Sequence, residues 1–226
     1  MAPLCVIPAR AGSKRLARKN VAPLGGRPML AYTIAAARDS GVFADVYVST
    51  EDAEIAALAR DHGATVPGLR PTELAGDTVT NVAVCLHLAD QLAAEGSPHD
   101  AVVCLQPSSP LRGAAHVRGA WQAFADQDVD FLVSVAPIDP HCYHWAMEEN
   151  EGNWRMVFGD RYLAVRQTLP PVWRPNGAIK IARLEALRAT GHFFGARLGA
   201  YPMPEEASVH VDTATDLKLC EALLEC

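Results

Sequence analysis

Short apolar runs alternate with amphipathic stretches along most of the chain, and that rhythm restricts it to a sheet covered by helices on both faces. Leu4 to Pro8 is strand-like. Pro28 to Arg38 reads as a helix with proline near its first turn, and Asp45 to Thr50 as a second strand. Glu51 to His62 carries Ile55, Leu58 and Ala59 at helical spacing and is closed by Gly63. Val79 to Ala93 is the clearest helix, with Val79, Val82, Ala83, Leu86, Ala89, Leu92 and Ala93 on one face. Asp100 to Gln106 and Asp130 to Ala136 read as strands bracketing a helix from Ala114 to Ala125. A strand from Asn176 to Ile181, a helix from Leu184 to Thr190, and strands over Ala200 to Met203 and Ser208 to Asp212 follow. The last helix starts at Thr213, where T-x-x-D assigns Asp216 to a capping box rather than to catalysis. This order predicts an α/β fold, a mostly parallel, Rossmann-like sheet between two helical layers, in one domain over residues 1–226.

The rhythm breaks between Pro137 and Pro175, where histidines, prolines, Trp145, Trp154 and Trp173 crowd a stretch without regular period. An insertion of that length is expected to be functional or an interface, and its aromatics suit dimer anchors. His141, Cys142 and His144 fit an irregular interface better than a metal site, since no fourth ligand has suitable spacing. His62, His87 and His116 fall on predicted helices and need no function.

Half of the 226 residues are apolar and mean hydropathy is +0.04, enough for a sizeable core. No run of about 18 uncharged apolar residues is present, so no membrane span is expected. Nor does the start of the chain show a basic stretch leading into a long apolar one, the mark of a secretory signal. Cys5, Cys85, Cys104, Cys142, Cys220 and Cys226 are scattered without C-x-x-C spacing, which suits reduced thiols and a cytoplasmic location.

Against a net charge of −6, the ten residues from Arg10 to Lys19 hold five cations (Arg10, Lys14, Arg15, Arg18 and Lys19) and no acid. A basic loop containing Gly12, placed after a first strand, is either a solvated surface run or an anion cradle. Each cation about 4 Å from a phosphate oxygen is worth roughly 1 to 4 kcal/mol, depending on screening. Neither G-x-G-x-x-G nor the P-loop spacing is present. The acidic balance, with no aromatics interleaved in the basic run, argues against nucleic acid as a partner.

The segment Ile7 to Asn20 resembles the N-terminal signature of the acylneuraminate cytidylyltransferases, the CMP-sialic acid synthetases. Leu69 to Thr78, Leu105 to Arg112, Arg174 to Ile179 and Val211 to Thr213 resemble further blocks of that family, in its order. The resemblance implies a nucleotidyltransferase fold with a dimerisation element at 137–175, hence a homodimer. It implies transfer of CMP from CTP to a nonulosonic acid of sialic, legionaminic or pseudaminic type, with release of pyrophosphate. The alternatives are a Kdo cytidylyltransferase, whose loop typically continues differently after I-P-A-R, and a nucleotide-binding homologue without turnover.

By that resemblance Arg10, Lys14 and Lys19 hold the triphosphate, with Ala9, Gly12, Ser13 and Asn20 lining the same pocket; Arg15 and Arg18 have weaker claims. Arg70 and Thr80 lie near the cytidine. Gln106, Ser108 and Ser109 line the sugar-acid pocket, although Gln106 to Pro110 also reads as a plain strand-ending turn. Arg112 either binds a phosphate or fixes the loop. Arg166, Gln167 and Arg174 are candidates for the substrate carboxylate, and Asn176 for a sugar substituent or a strand end. Asp212 is the metal candidate for Mg²⁺. The chain departs from the family at His210, where the usual pattern has aspartate, and at Ala17, where it often has proline. In a strand His210 would face the same way as Asp212, bonding to water or tolerating Mn²⁺.

Overall fold

The fold, taken from a computed structural model, is described for residues 2–13 and 15–224. β1 (Leu4–Pro8) is followed by a two-residue ribbon (β2, Pro23–Leu24; β3, Arg27–Pro28), α1 (Met29–Asp39), β4 (Val46–Ser49) and α2 (Ala53–Asp61). Next come α3 (Asn81–Ala94), β5 (Ala101–Leu105), α4 (Ala114–Gln127) and β6 (Phe131–Ile138). The remainder holds α5 (Pro140–His144), a hairpin of β7 (Met147–Asn150) and β8 (Asn153–Met156), the long β9 (Val172–Arg183), α6 (Leu184–Thr190), β10 (Leu198–Pro202) and α7 (Ala214–Leu224).

Six strands form one sheet in the order β10-β6-β9-β5-β1-β4. β1 lies parallel to β4 and β5, and β10 parallel to β6. β9 runs antiparallel to both of its neighbours, so the mostly parallel sheet has one reversed strand at its middle. Successive side chains of β1 alternate faces: Cys5 and Ile7 join a cluster with Leu30, Ile34 and Ile55 from α1 and α2, while Leu4 and Val6 join one with Cys85, Leu88 and Leu187 from α3 and α6. All four are fully buried. Each such valine, leucine or isoleucine contributes roughly 1.5 to 3 kcal/mol on leaving water.

Three expectations are corrected. The helix expected from Val79 begins at Asn81, capped by Thr80, whose Oγ1 accepts from Ala83 N (3.2 Å). Its buried stripe is Val82, Val84, Cys85, Leu88, Ala89 and Leu92, with Ala93 exposed. So much of this helix is apolar that periodicity alone selects no single face. Secondly, residues 137–175 are not irregular throughout: β6 runs to Ile138, and Glu151 and Gly152, both at positive φ, close the β7–β8 hairpin. Its two strands are largely exposed on both faces, so no alternation marked them. Thirdly, Ser208 to Asp212 is no strand. After a 3₁₀ turn (Glu206–Ser208) the chain crosses to the loop following β5, where Val211 N donates to Ser108 O (2.7 Å), so its partner is a loop and not a sheet edge.

Candidate active site

The loops after β1 and β5 leave the carboxyl ends of adjacent parallel strands, the position where open α/β sheets form ligand crevices. A cavity of about 230 Å³ lies there. Arg10, Gly12, Ser13, Lys19 and Asn20 line it from the first loop, Arg70, Gly76 and Asp77 from the segment before α3, Asn81 from the start of α3, and Gln106, Pro107 and Ser108 from the loop after β5.

The first loop is held from beneath. Ala9 is buried and its N–H donates to Ser49 O (2.9 Å), Asn20 Nδ2 donates to Arg10 O (2.8 Å), and Ala11 N donates to Glu51 Oε1 (2.8 Å). Gly12 lines the cavity in open surroundings, where a Cβ would meet nothing within 4 Å. The cations above are each placed by a carboxylate. Arg10 Nη1 lies 2.7 Å from Asp77 Oδ1. Lys19 Nζ donates to Val211 O and Asp212 Oδ1, both at 3.0 Å, and Arg15 Nη1 reaches Asp212 Oδ2 at 3.1 Å. Arg18, in the left-handed region at φ 50°, pairs with Glu54 (2.8 Å). Lys14 lies outside the described residues.

Arg70 forms the buried flank. Its Nη2 donates to Glu51 Oε2 (2.8 Å), and its Nε is buried without a hydrogen-bond partner. Glu51 therefore joins the first loop to the Arg70 segment with one carboxylate, a role that sequence reading missed.

On the opposite flank β9 bulges: its pairing with β6 jumps from Lys180↔Val133 to Pro175↔Val135, and Gly177 within the bulge has φ +77°. Asn176 is buried there, accepting at Oδ1 from Ser134 Oγ (2.5 Å) and Ala178 N (3.1 Å) and donating through Nδ2 to Ser208 Oγ (2.8 Å). Its amide thus serves the strand end, the second of its two expected roles. His210 Nδ1 faces the hydroxyls of Ser108 (3.4 Å) and Ser109 (3.5 Å), and its Nε2 lies 3.8 Å from Asp212 Oδ1. His210 and Asp212 do face each other, through the turn of an unpaired segment. Burial pulls the imidazole below its ordinary pKa, with Lys19 and Lys180 adding to this and Asp212 opposing it. For Asp212, burial pushes the carboxyl up, but the Lys19 bond, with the charges of Lys19, His210 and Arg15, holds it below the usual range. Asp216 caps α7 as expected, its Oδ2 accepting from Asp212 N (2.9 Å), Thr213 N (2.7 Å) and Thr213 Oγ1 (2.9 Å).

The structure thus gathers Arg10, Gly12, Ser13, Lys19, Asn20, Arg70, Gln106 and Ser108 on one cavity, with Ser109, His210 and Asp212 beside it. Thr80 caps α3 and its neighbour Asn81 takes the place on the wall; reading Thr80 as the cap would have exposed this. Arg166, Gln167 and Arg174 belong to the 137–175 arm and do not line the cavity; Arg166 pairs with Asp139 (2.9 Å). In that arm His141 stacks near Trp145 and His144 is buried beside Tyr143 and Phe158.

Among the described residues no three His, Cys, Asp or Glu side chains gather as a ligand set. The Asp212 carboxylate, at the rim beside Lys19 and held below its usual range, fits the one- or two-carboxylate pattern by which Mg²⁺ is held together with substrate phosphates.

A cationic loop after the first strand, a helix start and a polar second loop converge on one crevice of an α/β protein. Residues 4–148 match the cytidylyltransferase family. The chain is 36% identical over 218 residues to an N-acylneuraminate cytidylyltransferase of Streptococcus agalactiae, covering 96% of this chain and 52% of that one. It therefore spans about half the length of the streptococcal relative. Over 225 residues it is 33% identical to the CMP-N,N'-diacetyllegionaminic acid synthase of Legionella pneumophila, covering 98% and 96%. A solved CMP:2-keto-3-deoxy-manno-octonic acid synthetase complexed with CTP shares the fold, at TM-score 0.74 and 17% identity over 100% of this chain and 99% of that one. The chain belongs to the cytidylyltransferase family.

Proposed function

We propose that this protein transfers CMP from CTP to the anomeric hydroxyl of a nonulosonic acid, of sialic, legionaminic or pseudaminic type. The observation that carries the reading is the cavity itself, which joins the Arg10–Asn20 loop to Gln106 and Ser108 in one crevice. Arg10 and Lys19 bind the triphosphate and neutralise charge as the leaving pyrophosphate forms, and the open face at Gly12 lets backbone N–H groups approach it. Arg70, which lines the buried flank of the cavity, stands beside the base. Gln106, Ser108 and Ser109 orient the sugar acid, so that its anomeric oxygen attacks the α-phosphorus as the bond to the β-phosphate oxygen breaks.

Asp212 would hold Mg²⁺, or Mn²⁺, together with the nucleotide phosphates. When bound, the ion supplies Lewis-acid polarisation of the phosphates. The reading includes a cytoplasmic homodimer. Trp145, Met147, Trp154, Leu163, Val165 and Trp173, all exposed along the arm, support an interface there.

The test is pyrophosphate release from CTP and Mg²⁺ with a panel of sialic, legionaminic, pseudaminic and Kdo acids, with product mass read alongside. Turnover with one nonulosonic acid is expected. Turnover with Kdo alone, or CTP binding without release even with Mn²⁺, would overturn the reading.

A further inference from the structure

Among the described residues Arg112 is the largest fully buried side chain, 1% exposed, and no carboxylate pairs with it. Its Nη1 donates to Gln106 O (3.1 Å) and to Ala178 O (3.0 Å), while Nε and Nη2 are buried without hydrogen-bond partners. Burial pushes the guanidinium down to about 10, against a smaller opposing influence from the Cys5 and Cys104 thiols. An unpaired buried cation is costly, and packing alone would be better served by leucine or methionine.

The two carbonyls show what the cation accomplishes. Gln106 is where the chain leaves β5, and its carbonyl otherwise receives only the long Ser109 N–H bond (3.3 Å). Ala178 lies in the β9 bulge, and its carbonyl otherwise receives only Gln106 N, also at 3.3 Å. One is where β5 ends and the other where the β6–β9 register jumps, and they meet at Arg112. Beyond the peg, Ser108 O accepts from Val211 N at 2.7 Å, and Val211 separates His210 from Asp212.

We propose that Arg112 is a positioning residue: its guanidinium pegs the loop after β5 to the β9 bulge, fixes the backbone of Gln106 to Ser109, and through Ser108 fixes the segment bearing His210 and Asp212. Arg112 is 1% exposed and does not line the crevice, so it acts through the loop it holds. The assignment to the sugar-acid side rests on the function proposed above; the mechanical coupling does not.

Two measurements on Arg112→Lys and Arg112→Met separate these. Hydrogen exchange at the Ser109 and Val211 amides should accelerate about tenfold or more in Arg112→Met, less in Arg112→Lys, with the amides of β1 and β4 unchanged. In steady state the KM for the sugar acid should rise about 10- to 100-fold while the KM for CTP stays within about threefold, with partial rescue by lysine. Unchanged amides, equal rises in both KM values, or a fall in kcat alone would overturn the proposal. If the wild type turns over no nonulosonic acid, the functional reading fails and the exchange data decide Arg112 alone. Should neither variant fold, the wild-type amides decide: the Ser109 and Val211 amides must be as protected as those of β5, and fast exchange there overturns the peg.

Discussion

Glu51 offers the sharpest test of how the site is held. Its carboxylate takes Ala11 N on one oxygen and the Arg70 guanidinium on the other, each at 2.8 Å, with the Arg70 side chain 3% exposed and that of Glu51 14%. Glu51→Leu leaves a buried arginine without its counter-charge, a loss of about 3 to 5 kcal/mol. The orphaned, partly buried Ala11 N–H adds about 1 kcal/mol. The sum, roughly 4 to 6 kcal/mol, is a large share of the 5 to 15 kcal/mol that holds a typical protein folded. For a chain of this size it lowers the Tm by about 10 to 20 °C.

Glu51→Gln keeps an acceptor for Ala11 and loses only the charge, so it should fall between the wild type and Glu51→Leu. Adding Arg70→Met to Glu51→Leu removes the stranded cation and should recover most of the deficit, leaving about 1 kcal/mol for Ala11. Urea and thermal unfolding of the wild type, Glu51→Leu, Arg70→Met and the double variant form a double-mutant cycle whose coupling energy is the quantity of interest. CTP titration calorimetry on the double variant then separates roles: stability returns and affinity does not, because Arg70 lines the cavity. A Tm loss under about 4 °C for Glu51→Leu, or a double variant no more stable than that single one, would refute the reasoning.

Other predictions concern elements outside the phosphate loop. Asp216→Ala removes the acceptor of Asp212 N and Thr213 N and should cost about 1 kcal/mol near neutral pH. The Asp216 carboxyl is held below its ordinary value first by the Asp212 N–H and then by Thr213. Its contribution is therefore present above about pH 4 and lost as pH falls through the depressed pKa. Wild-type and variant denaturation midpoints should converge in acid, and a constant gap would argue against the cap. His144 is buried with neither ring nitrogen hydrogen-bonded, so His144→Phe should raise the Tm by about 2 to 4 °C; a lower Tm would mean that the imidazole has a partner. Trp154 is 66% exposed on the arm, and Trp154→Glu should turn a dimer into a monomer by sedimentation velocity; an unchanged species would place the interface elsewhere.

What could be read ahead of the structure was what rests on local periodicity. β1, α2 closed by Gly63, and α6 over Leu184–Thr190 all followed from patterns within a dozen residues. The Arg10–Asn20 loop was legible because five cations with no acid stand out in a chain of net negative charge. The remainder depends on contacts far apart in sequence. Glu51 reaches Ala11 across 40 residues and Arg70 across 19, and nothing local distinguishes it from any acid at a helix start. The β9 bulge depends on register with β6, which no single strand encodes. Ser208 to Asp212 has a strand-like composition, yet its backbone partner is Ser108, about a hundred residues earlier, so composition misled.

The ion pairs at the rim explain how a strongly cationic site can stand ready without repelling itself. Arg10 and Lys19 line one crevice, with Arg15 outside it, and each is held by Asp77 or Asp212. The more exposed pairs, Arg10–Asp77 and Arg15–Asp212, contribute only about 0.2 to 1 kcal/mol each, so they fix side-chain positions while remaining easy to exchange. A triphosphate entering the crevice offers each cation a more highly charged partner, so Asp77 and Asp212 can be released at small cost. Lys19 has a second restraint: its bond to Val211 O lasts whether or not Asp212 stays. Val211 is in turn held by Ser108. A change in the loop after β5 is therefore felt at Lys19 through two backbone hydrogen-bonding positions, without any charge having to move between the two loops.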